Sequence, residues 1–175
     1  MMGIENALEV VSMADVPAGT GLGSSSSYAV GLLNALHTLK KEHVSFKDIA
    51  EEACKLEIDI LKKPIGKQDQ YMAAFGGLTV LEIDKEGTVN VKKAAVPDSI
   101  VEDLNRNLLM FYTNTSRSAD EILSEQSKGA KDEKKDVIES LHYIKELGYK
   151  ILEAVESGNI TDVGLMFDQH WKYKK

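Results

Sequence analysis

Residues 17–27 read PAGTGLGSSSS: glycines at 19, 21 and 23, then serines at 24 to 27, with no lysine among them. The run lies between two apolar segments. Before it, ALEVVSM (7–13) has two adjacent valines and predicts a buried strand leading into Asp15, Val16 and Pro17. After it, Ala29, Leu32, Leu36 and Leu39 recur at spacings of three and four, the stripe of a helix from Ser25 to near Lys40. A Gly/Ser linker would join two finished units, whereas this run is squeezed between a strand and a helix. Backbone N–H groups at such a helix start have no intrahelical partner, and the aligned peptide dipoles favour negative charge there. Glycines let the backbone approach anionic oxygens, and serine hydroxyls add donors or a ligand for magnesium. The loop therefore reads as a phosphate cradle. It is neither of the two commonest ones: the dinucleotide fingerprint needs a glycine where Ser24 stands, and the P-loop needs a lysine after Gly23.

Composition narrows the partners. In 175 residues, 43% are hydrophobic and 28% charged, as in an ordinary globular protein. The 21 Lys+Arg against 28 Asp+Glu give a net charge of -7, which opposes broad attraction to nucleic acid or to an anionic membrane. Cys54 is alone, so no internal disulfide forms. His37, His43, His142 and His170 are far apart and without metal-ligand spacing. The start MMGIENALEV lacks the basic flank and apolar run of a secretion signal, and a cytoplasmic location is expected.

Further along, Ser45 is positioned to cap a helix to about Lys62, with the stripe Ile49, Ala53, Leu56 and Ile60, stopped by Pro64 and Gly66. Asp69 opens a short helix through Phe75, ended by Gly76 and Gly77. GLTVLEI (77–83), the KEG turn and TVNVKKA predict a hairpin. Pro97 to Arg106 predicts a short helix, NLLMFYT (107–113) a buried strand, and Ser118 to Ser127 another helix. KGAKDEKK (128–135) is a solvated connection, since acids interrupt its lysines. Val137, Leu141, Ile144, Gly148, Ile151 and Val155 line a long amphipathic helix ending at Ser157-Gly158-Asn159, and a last helix begins near Thr161. The order of elements lacks the regular rhythm of a doubly wound sheet, so the expected class is α+β.

PAGTGLGSSSS resembles the second motif of the GHMP kinases, the family of galactokinase, homoserine kinase and mevalonate kinase, through its Pro-x-x-x-Gly-Leu-Gly-Ser-Ser pattern. GKQDQYMAAFGG (66–77) is similar to the family segment that carries a catalytic aspartate. Over residues 8–175 the chain resembles the heptose 7-phosphate kinase subgroup, on DVPAGTGLGSSSS, EIDILKKPIGKQDQY, LLMFYTNTSRSADEILSEQ and HWKYKK in that order. The resemblance implies an ATP- and Mg2+-dependent phosphotransferase acting on the anomeric hydroxyl of a sugar phosphate. It implies a partial N-terminal α/β domain over 1–95 and the start of a ferredoxin-like C-terminal domain over 96–175. The family's early basic motif and late glycine-rich motif do not occur here, so we expect a central piece of such a kinase, poorly active alone and prone to self-associate. Alternatives are a galactose- or fucose-type kinase and a non-catalytic nucleotide- or metabolite-binding fragment.

By the same resemblance, Pro17, Gly19, Thr20, Gly21, Leu22, Gly23, Ser24, Ser25 and Ser26 bind ATP, and Ser25 with Glu57 holds magnesium. Asp69 is the catalytic base and contacts the sugar, while Thr113 and Arg117 bind substrate, the guanidinium suiting a distal phosphate. Each has a plainer reading. The serines serve as helix caps, Asp69 as an N-cap, Glu57 as a solvated helix residue, and Arg117 lies in water beside a capping Ser116 or Ser118. Lys67 is a further, weaker anion contact.

Overall fold

The glycine turn leads directly into helix α1 (Ser24–Leu39) in a computed structural model that describes residues 3–4, 7–16, 19–112, 123, 132 and 135–174. The chain is mostly helical with a small two-stranded sheet. Its described residues form two compact units, one of the residues through Gly77 together with Leu123, and one of the remaining residues from Leu78 onward.

In the first unit α1 buries Ser26, Ala29, Val30 and Leu33, an i, i+3, i+4, i+7 stripe. This face is rotated from the expected one: Leu39 is exposed, and Leu32 and Leu36 are only half-buried. The helix closes with Lys41 in the left-handed region (φ 59), where its N–H reaches Thr38 O and that of Glu42 reaches His37 O. Helix α2 (Phe46–Cys54) is capped as the sequence predicts, with Ser45 Oγ accepting the Asp48 N–H at 3.1 Å. It continues as a π-helical turn over Lys55–Ile60, and α3 (Gln68–Phe75) follows. Ala29, Val30 and Leu33 pack on Ile49 and Ala53, with Val44, Leu56 and Ala74 at the edge.

His37 ties the unit's surface. Its ring nitrogens lie 2.7 Å from Glu52 Oε2 and 2.8 Å from Glu42 Oε2. The hydrogen bond with Glu52, then that with Glu42, raises its pKa above the ordinary value.

In the second unit β1 (Thr79–Ile83) pairs antiparallel with β2 (Val89–Lys93), Thr79 opposite Lys93 and Ile83 opposite Val89. The predicted hairpin is therefore present. Its turn is held by the Asp84 carboxylate, which accepts the Thr88 N–H at 2.7 Å. Helices α4 (Asp98–Asn107), α5 (Lys135–Glu156) and α6 (Ile160–Lys174) complete the unit. Ala154, Val155 and Val163 form its core with Ile100, Leu104, Ile151 and Met166 around them. Two expected strands do not form. Residues 7–13 and 108–112 take no regular structure and leave Met13 91% and Leu109 79% exposed. Local apolar content cannot make a strand without a partner ladder, and among the described residues none pairs with either segment. The helix expected at 118–127 lies almost entirely outside the described residues.

Gly158 (φ 77) ends α5 with its N–H on Val155 O and that of Asn159 on Ala154 O, and a Cβ there would meet Ile100 Cδ1 at 2.7 Å. Gly158→Ala is expected to cost about 1–3 kcal/mol through backbone strain and that clash, read as a lower denaturation midpoint. For His37, a raised folded-state pKa means stability that is fully present below its unfolded value and is lost as pH rises through the folded value. The stability advantage of the unaltered chain over His37→Asn should therefore be largest below about pH 6.5, the ordinary imidazole value, and shrink as the pH rises above it in urea titrations; a constant difference would exclude this role.

Candidate functional site

Three glycines make the turn. Gly19, Gly21 and Gly23 have φ of 77, 76 and 66, all in the region that L side chains rarely adopt. Gly23 is the N-cap of α1, no side chain caps it, and no acid occupies the first turn. The first intrahelical bond runs from Ser27 N–H to Gly23 O at 2.9 Å. The helix itself thus offers no acceptor for the N–H groups of Ser24, Ser25 and Ser26.

Helix α3 begins beside this turn. A Cβ on Gly23 would lie 3.2 Å from Asp69 Cγ and 3.3 Å from Asp69 Oδ2. Asp69 is exposed and sits in the first turn, while the N-cap position belongs to Lys67, so the plainer reading of Asp69 as the cap does not hold.

The π-helical turn carries Glu57, which is 1% exposed. In this wider turn Leu61 N–H bonds Leu56 O at 2.9 Å, and Ile60, expected on the buried stripe, faces solvent. Four donors converge on the Glu57 carboxylate. Ser25 Oγ and Lys63 Nζ reach Oε1 at 2.7 and 3.0 Å, and Ser26 Oγ and Gln70 Nε2 reach Oε2 at 2.6 and 2.7 Å. Burial by itself pushes this acid's pKa up, but hydrogen bonds from Ser26, Ser25, Lys63 and Gln70 more than reverse that and hold it below the usual range. Glu57 is therefore a buried anion, not the solvated helix residue of the plainer reading.

The contacts close a ring. Gly23 touches Asp69, Asp69 adjoins Gln70, Gln70 donates to Glu57, and Glu57 accepts from Ser25, two residues from Gly23. Gly23, Ser25, Ser26, Glu57 and Asp69 are thus brought together, Gly19 to Leu22 lead into them along the chain, and Pro17, Thr113 and Arg117 lie outside the described residues. Sequence reasoning missed Gln70 and Lys63, whose contacts to Glu57 span 13 and 6 residues. Lys67 donates to both oxygens of Glu51, at 3.1 and 2.9 Å, and the buried Tyr71 hydroxyl donates to Glu51 as well. Behind them burial, then the charge of Glu51, pushes the Cys54 thiol up to about 11, so it stays protonated and structural at neutral pH.

An oxygen set of hydroxyl and carboxylate, Ser25 Oγ and Glu57 Oε1, fits a hard cation such as Mg2+. Among the described residues no three His, Cys, Asp or Glu side chains cluster as a metal cage, so such an ion would complete its sphere from phosphates and water. The buried Gln70 Oε1, without a hydrogen-bond partner, leaves acceptor capacity beside the same carboxylate.

Residues 2–77 match the family model of the GHMP kinases N terminal domain. Residues 2–77 belong to the N-terminal domain family of the GHMP kinases. The chain is 31% identical to the D-glycero-alpha-D-manno-heptose 7-phosphate kinase of Campylobacter jejuni, over 93% of its own length and 47% of that protein. It is 28% identical to a galactokinase of Pyrococcus furiosus, over 90% of itself and 50% of that protein. A crystal structure of a D-glycero-D-manno-heptose 1-phosphate kinase from Bacteroides thetaiotaomicron matches with a TM-score of 0.74 at 26% identity, over 91% of this chain and 45% of that one. The chain thus spans about half the length of these relatives. No described helix is long and apolar enough to cross a membrane.

Glu57→Ala would remove the acceptor of four donors and leave Lys63 without its counter-charge. It is expected to destabilise the first unit by about 3–5 kcal/mol in chemical denaturation, because the remaining buried donors lose their partner. Stability within experimental error of the unaltered chain would contradict the network.

Proposed function

We propose that this chain is the nucleotide-holding central part of an ATP- and Mg2+-dependent sugar kinase, with the domain join near Ala95. The observation that carries the reading is the Asp69 carboxylate lying against Gly23, the last glycine of the turn, at 3.2 Å from an added Cβ. A base and a phosphate cradle must meet for a phosphoryl group to pass between them.

In this reading the N–H groups of Ser24 to Ser26 and the open turn of Gly19 to Gly23 take the phosphates of ATP at the positive end of α1. Ser25 and Glu57 would hold magnesium, which would offset phosphate charge when bound. Asp69 orients the acceptor hydroxyl and takes its proton as the oxygen attacks the γ-phosphorus, whose bond to the bridging oxygen of ADP breaks. Thr113 and Arg117 contact the sugar phosphate.

For the acceptor we infer the anomeric hydroxyl of a heptose 7-phosphate, giving the 1,7-bisphosphate. The Campylobacter relative's name supports it at 31% identity. The name of the Bacteroides structure puts the phosphate at position 1, and the galactokinase relative acts on another sugar, so the assay must separate these acceptors. A cytoplasmic location and self-association belong to the same reading.

The test is ADP release by the complete kinase with heptose 7-phosphate, heptose, galactose and fucose. Turnover is expected with the 7-phosphate, and Asp69→Asn should lower kcat about 100- to 10,000-fold with KM for ATP little changed. Full activity in that variant would remove the base assignment, and no turnover of the 7-phosphate would remove the acceptor.

A further inference from the structure

The two oxygens of Glu57 are held differently. Oε2 faces neutral, fully buried donors, Ser26 Oγ and Gln70 Nε2. Oε1 is part-buried and shared by the Ser25 hydroxyl and the Lys63 ammonium. Among these four donors Lys63 alone carries charge, and a buried carboxylate left without a counter-charge is strongly unfavourable.

The backbone is built to put that ammonium there. Lys63 N–H donates to the carbonyl of Glu57 at 2.9 Å, so main chain and side chain of one residue both grip Glu57. The preceding Lys62 sits at φ 56, a left-handed conformation that costs a residue with a side chain some stability. Such strain persists where the surroundings enforce it.

We propose that Lys63 is a stand-in cation: it neutralises Glu57 in the metal-free protein and gives up Oε1 when magnesium arrives with the nucleotide. This rests on the magnesium placement proposed above. A divalent ion bound to Ser25 Oγ and Glu57 Oε1 repels an ammonium 3.0 Å from the same oxygen, so the two cations compete for one position. Lys63 is a positioning residue here, since it acts through Glu57.

The experiment compares Mn2+ binding, with ADP present, by calorimetry on the full chain and its Lys63→Met and Lys63→Arg variants at about pH 8, where carboxylates are ionised. Lys63→Met should bind the metal about three- to tenfold more tightly, because the competing ion pair is gone. It should also melt lower without metal and recover with it, whereas Lys63→Arg keeps a cation and should bind like the unaltered chain. Equal or weaker binding by Lys63→Met, with normal binding by the unaltered chain, overturns this inference alone. An unaltered chain that takes up no Mn2+ with ADP overturns the functional reading and this inference together. Should Lys63→Met fail to fold even with metal, amine labelling of the unaltered chain followed by mass spectrometry decides. Labelling at Lys63 should quicken several-fold on adding Mn2+ and ADP, and an unchanged rate overturns the exchange.

Discussion

The first unit depends on a buried carboxylate that has to be satisfied. Glu57 is 1% exposed, and an ionised acid at that depth is tolerated only with hydrogen bonds to nearly every lone pair. Its donors come from three separate places: Ser25 and Ser26 from the start of α1, Lys63 from the loop after the π-helical turn, and Gln70 from α3. Each donor fixes the segment that carries it. The glycine turn is thereby held against α3 by polar contacts, while the apolar packing of Ala29, Leu33, Ile49 and Ala53 holds the helices farther along.

The π-helical turn carries the same acid. An uninterrupted α-helix from Phe46 would extend the stripe of Ile49, Ala53 and Leu56 to Ile60, and Ile60 is instead 64% exposed. Glu57, four residues after Ala53, is on the interior face in either geometry, and widening the turn over Lys55–Ile60 rotates the residues after it, so that Ile60 loses that last apolar position. Burying Ile60 would have been the favourable choice on area alone. The chain forgoes it as it leaves the turn toward Lys63, and the buried acid stands beside two helix starts, those of α1 at Gly23 and α3 at Lys67, neither capped by a side chain.

What was legible in the sequence was local. The three- and four-residue periods marked the helices, Ser45 marked a cap, and alternating residues around Lys85-Glu86-Gly87 marked the hairpin. The glycine turn was legible because residues 19, 21 and 23 demand a backbone that other residues avoid. Non-local facts were not. The segments at 7–13 and 108–112 have strand-like composition, yet a strand is a property of a pair and the sequence names no partner. Gln70 and Lys63 look like surface residues until folding brings them to Glu57, and the buried face of α1 turned because Ser26 had to reach that acid.

The distribution of buried polarity argues that this arrangement serves chemistry more than stability. The second unit is held by an apolar core of Ala154, Val155 and Val163 and a glycine-terminated helix end. Among the described residues the buried polar or charged side chains are Ser26, Glu57 and Gln70, and all three belong to one hydrogen-bonded group. Replacing a buried polar group by apolar residues of similar shape is often neutral or stabilising, so stability alone does not account for one at this spot. Scattered polar residues would be accidents of packing. Concentrated beneath a left-handed glycine turn and an exposed carboxylate, they hold Oε1 of Glu57 and the Ser25 hydroxyl at a fixed geometry, the preorganisation that the proposed phosphoryl transfer would use.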